Sequence, residues 1–166
     1  MSHDREIVLA VHPTSHGFGF VVMTSPLAPV DWGFRGARSG QKNAVCLDKV
    51  AALIEAHQPD VMAIEDTAAP GVRRAVRIKQ LERAISSLAT DQAVDVHVYS
   101  RRAVASCFAD VGAVTRYEVA VAIAKRVAAF ERLLPPPRKI WMTEHQNLSV
   151  FSAAALAITY FASAPR

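Results

Sequence analysis

Ile7-Val8-Leu9-Ala10-Val11-His12-Pro13-Thr14-Ser15-His16-Gly17-Phe18-Gly19-Phe20-Val21-Val22-Met23 carries two apolar, β-branched runs on either side of a Pro-Thr-Ser-His-Gly turn. Such runs, short and bounded by turn residues, predict strands over Ile7–Val11 and Phe18–Met23. A Ser25-Pro26 break and a third run, Pro29 to Phe34, extend the pair into an antiparallel meander. Outward from it the pattern changes period. Val45, Val50, Leu53 and Ile54 recur at helical spacing in Asn43–His57, and Gln58-Pro59-Asp60 ends that helix. Val61–Glu65 predicts a buried strand. Pro70-Gly71 then leads into a helix over 72–90, whose apolar stripe is Ile78, Leu81, Ile85 and Leu88. Val94–Tyr99 predicts the fifth strand.

The remainder is predicted helical. Ser100 can cap a helix through Phe108, and Thr115-Arg116-Tyr117-Glu118 has capping-box spacing at the head of a helix over 116–130. Pro135-Pro136-Pro137 imposes an extended connector, and Asn147 to Phe161 reads as the last helix. The order β-β-β-α-β-α-β-α-α-α implies an α/β fold with a mixed five-stranded sheet and helices on both faces.

The 166 residues, 51% hydrophobic and 20% charged, suit one domain spanning 1–166 and exclude a mainly disordered chain. Cys46 and Cys107 are too few for a disulfide scaffold and lack partners for a structural zinc site. Together with the polar amino terminus they predict a cytoplasmic protein. Leu148–Ala164 is uncharged, but it is shorter than the roughly 20 residues a bilayer requires and Ser149, Ser152, Thr159 and Ser163 interrupt it. No membrane association is therefore expected.

Charge is uneven: −3 over residues 1–71 and +7 over residues 72–166. Arg73, Arg74, Arg77, Lys79 and Arg83 are opposed only by Glu82, and Arg101-Arg102 follows. A basic cluster of this kind suits a polyanion, since neutralising phosphates releases counterions, but it suits a solvated helix face equally. Trp32 and Trp141 could stack on bases, although packing is the commoner use of such residues.

The element order is similar to the RNase H-like fold, and the motifs resemble RuvC-like nucleases, the Holliday-junction resolvase branch. Ile7–Ser15 followed by Gly17-Phe18-Gly19-Phe20 looks like the family's first hairpin, where a catalytic Asp ends strand one. Val61-Met62-Ala63-Ile64-Glu65 looks like the strand that ends in the catalytic Glu. Val96 to Arg101 resembles the fifth strand and its turn. Phe151-Ser152-Ala153-Ala154-Ala155-Leu156-Ala157-Ile158 resembles the last helix, which opens with catalytic acids. The resemblance implies a divalent-metal endonuclease using Mg²⁺ or Mn²⁺, a nucleic-acid partner, DNA ahead of RNA, and a homodimer. It places His12, Glu65 and Ser152 at the catalytic positions.

Two of those three are not acids. Such nucleases hold two divalent ions about 4 Å apart on clustered carboxylates, and Mg²⁺ strongly prefers oxygen ligands. With His12 and Ser152 in place of the acids, cleavage is expected to be weakened or lost. A rebuilt metal set can be drawn from His12, Glu65, Asp66, Glu144 and His145, whose nitrogen and oxygen ligands suit Mn²⁺ or Zn²⁺ better than Mg²⁺. In that scheme a helix starting near His145 brings His145, Ser149 and Ser152 onto one face. The alternative for His145 and Glu144 is an exposed helix start, and for His12 a neutral imidazole at a strand end. Arg73, Arg74, Arg77, Lys79, Arg83, Arg101 and Arg102 are the candidate nucleic-acid contacts. Two functional classes stand: a RuvC-like nucleic-acid binder with impaired cleavage, and an inactive scaffold whose Ala-rich helices contact partner proteins.

Overall fold

The computed structural model describes residues 5–38, 40–139 and 141–164. Its strands are β1 (Val8–Thr14), β2 (Gly17–Ser25), β3 (Ala28–Gly36), β4 (Val61–Glu65) and β5 (Asp95–Tyr99). They form one sheet in the order β3-β2-β1-β4-β5. β1–β2 and β2–β3 are antiparallel, while β4 pairs in parallel with both β1 and β5. The meander and the two added parallel strands match the sequence pattern.

Side chains alternate across a strand, so the sheet sends alternate residues into two separate cores. Leu9, Val11, Phe18, Phe20, Met62 and Ile64 pack with α1 (Lys42–His57) and α2 (Val76–Asp91). Val8, Ala10, Val21, Met23, Val61 and Ala63 pack with α4 (Arg116–Arg126) and α5 (Asn147–Ser163) on the other side. β1 and β4 are covered on both faces, which is why they read as continuous apolar runs rather than alternating ones. The same parity puts His12 and Glu65 on the α5 side, at the carboxyl ends of adjacent strands.

Gly19 sets how closely α5 approaches. It lies opposite His12 in the β1–β2 register. A methyl group added there would stand 2.4 Å from both the backbone carbon and the hydroxyl oxygen of Ser149. Only a residue without a side chain lets the helix descend that far onto β2. Ser149 is thereby buried, its hydroxyl donating to the Gln146 carbonyl at 2.5 Å.

Two boundaries differ from the sequence pattern. α2 begins at Val76 rather than 72, with Ala75 extended before it. Arg74 and Arg77 reach back to the end of β1, donating to the carbonyls of Pro13 at 2.6 Å and Thr14 at 3.1 Å, and this tether holds the intervening chain open. α4 stops at Arg126; Val127 is extended and Ala128–Leu133 forms a 3-10 helix. That break turns Val127 and Phe130 into the core, where Phe130 meets Trp32 and Phe151 edge-on. α5 starts at Asn147, as the sequence pattern predicts, and this leaves His145 outside the helix that the metal scheme required to begin near it. α3 (Arg101–Phe108) follows expectation, capped by the Ser100 hydroxyl, which accepts from the Ala103 amide. Cys107 is only partly buried. Among the described residues no helix is long and apolar enough to cross a membrane.

Candidate functional site

His12, Glu65 and Ser152 meet in one cavity of about 410 Å³, as the alignment of strand ends and last helix requires. His12 and Glu65 are 8% and 7% exposed, forming the floor. Three guanidinium groups surround them: Arg74 before α2, Arg101 at the start of α3, and Arg116 at the start of α4. Ligand sites in open α/β sheets commonly lie beyond the carboxyl ends of the strands. What is unusual is the charge that fills this one.

Arg101 holds Glu65 through a hydrogen bond from Nε to Oε1 at 2.9 Å. The other oxygen, Oε2, lies 4.0 Å from Arg74 Nε, and neither of these buried atoms has a hydrogen-bond partner among the described residues. Arg116 takes the opposite wall. It donates to the Ser152 hydroxyl from Nη2 at 2.7 Å and from Nε at 3.3 Å, and pairs with Glu144 through Nη1 at 2.6 Å. Its Nη2 also stands 3.5 Å from His12 Nε2, at the long limit of a hydrogen bond. A guanidinium can only donate, so that contact requires an unprotonated Nε2.

The electrostatics agree. Burial first, then the charges of Arg116, Arg74 and Arg101, drive the His12 pKa well below that of a free imidazole. A neutral His12 leaves three cations facing Glu65 and Glu144. The field that keeps a proton off His12 also opposes a divalent cation.

The family's two-metal arrangement therefore does not fit these residues. Among the described residues no group of three or more His, Cys, Asp or Glu is placed to hold a metal ion. The metal set drawn from sequence is dispersed. Asp66 turns to its own loop, accepting from the Ala68 amide at 3.2 Å. His145 is exposed and accepts from the Asn147 amide through Nδ1 at 3.1 Å. Glu144 does reach the site, but through Arg116. Since α5 begins beyond His145 and Ser149 is buried under Gly19, the common face of His145, Ser149 and Ser152 does not form.

The basic cluster divides as well. Arg73 and Arg83 are exposed and Lys79 partly so. Arg77 clamps the chain, bonding Asn43 Oδ1 at 2.8 Å as well as Thr14, and Arg74 belongs to the cavity. Arg101 belongs there too, and Arg102 beside it is exposed. Sequence reasoning missed Arg116, treating it as part of a capping box. That box is present, with Thr115 and Glu118 exchanging hydrogen bonds. The available signal was Arg at the first helical position, where a cation opposes the helix dipole and so needs another reason to be there. Glu82, read as the counter-charge to the surface arginines, is instead buried behind the site near Thr67, Glu65 and Arg74.

The fold is shared with known proteins. The family model described as crossover junction endodeoxyribonuclease RuvC matches residues 8–137. A Thermus thermophilus RuvC structure in complex with a Holliday junction substrate superposes with a TM-score of 0.69 at 17% identity, covering 93% of this chain and 92% of that one. Another T. thermophilus RuvC structure gives 0.66 at 16% identity, with 93% and 92% coverage. The fowlpox virus Holliday junction resolvase gives 0.56 at 14%, covering 95% and 98%. No curated protein matches the chain.

Proposed function

The chain belongs to the RuvC family, and from that premise we propose that it binds branched or duplex DNA without needing a divalent metal and has lost Mg²⁺-dependent cleavage. One observation carries the proposal: Arg101 and Arg116 are bonded to Glu65 and Ser152, at the positions from which the family's acids would hold metal. Two-metal hydrolysis requires ligands whose negative charge offsets two divalent ions. Here His12 and Ser152 carry no negative charge, Glu65 and Glu144 each face a guanidinium, and Asp66 turns to its own loop. The same guanidiniums suit phosphate, which they bind through charge-assisted hydrogen bonds. Arg73, Lys79, Arg83 and Arg102 extend positive charge outside the cleft.

Binding to a four-way junction, a duplex and an RNA–DNA hybrid tests this, in EDTA and in Mg²⁺ or Mn²⁺. The expected result is junction and duplex binding that survives EDTA, no cleavage in Mg²⁺ and at most weak cleavage in Mn²⁺. Cleavage in Mg²⁺ that Glu65→Gln abolishes would overturn it. Each phosphate contact contributes about −0.9 to the salt slope on duplex DNA, so neutralising Arg73 and Arg83 should flatten that slope. An unchanged slope in that variant counts against these residues as contacts.

A scaffold role through the Ala-rich last helix has less support. Ala153, Ala154, Ala155 and Ala157 are all buried in the chain's own core. The proposal extends to a cytoplasmic two-fold dimer on family grounds alone. Of the alanines in and before α2 that could allow close approach, Ala89 is buried, Ala84 partly buried and Ala75 exposed. Light scattering that reports a monomer removes the dimer.

A further inference from the structure

The cavity is larger than the charged floor. Beyond the arginines it continues into an apolar recess between α3, α4 and α5, walled by Val104, Ala105, Val119, Phe151 and Leu156, with exposed Val114 at the rim. One end is thus a cradle of guanidiniums and the other an oily slot. A volume of about 410 Å³ lies within the range of small-molecule sites, which are mostly apolar with a few convergent polar groups.

We infer that this cavity binds a phosphomonoester carried on a planar apolar body, a single nucleotide at the end of a DNA strand. The inference rests on the DNA-binding function proposed above and gives the cleft its ligand. Donors remain for such a group. Arg101 uses only Nε on Glu65, and its two terminal nitrogens make no hydrogen bond among the described residues. Arg74 commits Nη2 to Pro13, and its buried Nε is unpartnered. Arg116 commits every nitrogen, but its outward partner, Glu144, is itself partly exposed.

The shape favours a strand end over an internal phosphate. The guanidiniums come from three different elements and the strand ends close the floor, so the cradle suits a group with three free oxygens and one covalent exit. A phosphodiester has two free oxygens and chain leaving on both sides. One of those sides is occupied by the apolar wall, which suits a base or sugar instead. The three guanidiniums outnumber the carboxylates of Glu65 and Glu144 by one, so the cleft keeps a net positive charge for an anionic group. The second source of the same chemistry is a free nucleoside monophosphate.

The test measures binding of a hairpin DNA carrying a terminal phosphate, at either its 5′ or 3′ end, against the same hairpin ending in hydroxyls. Deoxyadenosine monophosphate, deoxyadenosine and inorganic phosphate serve as competitors, all in EDTA. The phosphorylated hairpin should bind at least tenfold more tightly at one end, and the monophosphate should compete where deoxyadenosine does not. Arg101→Gln should erase the preference, while Lys125→Gln, exposed and outside the cavity, should leave it. Ala105→Trp adds bulk at an exposed wall position and should weaken the monophosphate while sparing inorganic phosphate. Monophosphate binding without a strand-end preference assigns the pocket to the free nucleotide and supports its chemistry. Hairpins that bind equally with and without the phosphate, with no competition by monophosphate, overturn the inference while leaving DNA binding intact. Monophosphate binding with no DNA binding of any kind would instead overturn the proposed function alone.

Discussion

Restoring the two missing acids should not restore the metal site. His12→Asp/Ser152→Asp returns carboxylates to the ends of β1 and α5, where the family resemblance expects them. Both would arise beside Arg116, whose Nη2 lies 2.7 Å from the Ser152 oxygen and 3.5 Å from His12 Nε2. The new acids would pair with that guanidinium rather than face an ion. A divalent ion about 4 Å from a guanidinium is opposed by about 8 kcal/mol at an effective dielectric of 20, and about 2 kcal/mol in a water-like medium. Arg116 is half exposed, so an intermediate value of about 4 kcal/mol applies, or about a thousandfold in affinity. Calorimetric titration with Mn²⁺ should find much weaker binding to the double variant than to the quadruple variant that adds Arg101→Gln and Arg116→Gln. Without metal the quadruple variant crowds three acids together and should melt lower than the double. Mn²⁺ should raise its melting temperature through mass action. If the double variant binds Mn²⁺ as tightly as the quadruple, or cleaves a junction in Mg²⁺, the arginines do not exclude the ion and the reasoning is refuted.

Glu82 gives a pH signature: burial, opposed by the neighbouring Thr67 hydroxyl and reinforced by the charge of Glu65, pushes its pKa from 4.5 up to about 7. A raised carboxyl pKa favours the fold at low pH, and this contribution is lost as pH rises from about 4.5 to about 7, by roughly 3 kcal/mol in all. Glu82→Gln should therefore raise stability at pH 8, leave it little changed at pH 4, and flatten the slope between; equal effects at both values in denaturant titrations would reject this. Thr115→Ala removes the cap of α4 and should cost about 1 kcal/mol, a loss of roughly 2–4 °C in melting temperature. Gly19→Ala should cost about 1–3 kcal/mol by overpacking β2 against α5. Adding Ser149→Ala should not rescue it, because the backbone carbon of Ser149 is as close as its hydroxyl; full rescue would show that only the side chain clashes.

Much of this protein was determined by the sequence alone. Strand existence followed from local pattern: short apolar, β-branched runs bounded by turn residues in the Ile7–Phe34 meander, and a run apolar on both faces in the buried β4. Val61–Glu65 was delimited to the residue. The caps at Ser100 and Thr115 were legible because capping is a contact within one helical turn. The convergence of His12, Glu65 and Ser152 was implied by the family resemblance; adjacent parallel strands ending at one edge of the sheet account for the first two, and α5 brings the third. The tertiary structure decided what that edge contains. Arg116 is 104 residues from His12 and Arg101 is 36 from Glu65. No local period records which way a guanidinium at a helix start will point. For the same reason Arg74 and Arg77 read as a surface patch until the β1 carbonyls were seen to hold them, and Glu82 read as their counter-charge until burial placed it behind the site. Backbone pattern is written in short-range sterics and burial, which a sequence displays. The sign of charge in a cleft is a sum over long side chains from distant segments, and only folding brings them within the few ångströms at which they count.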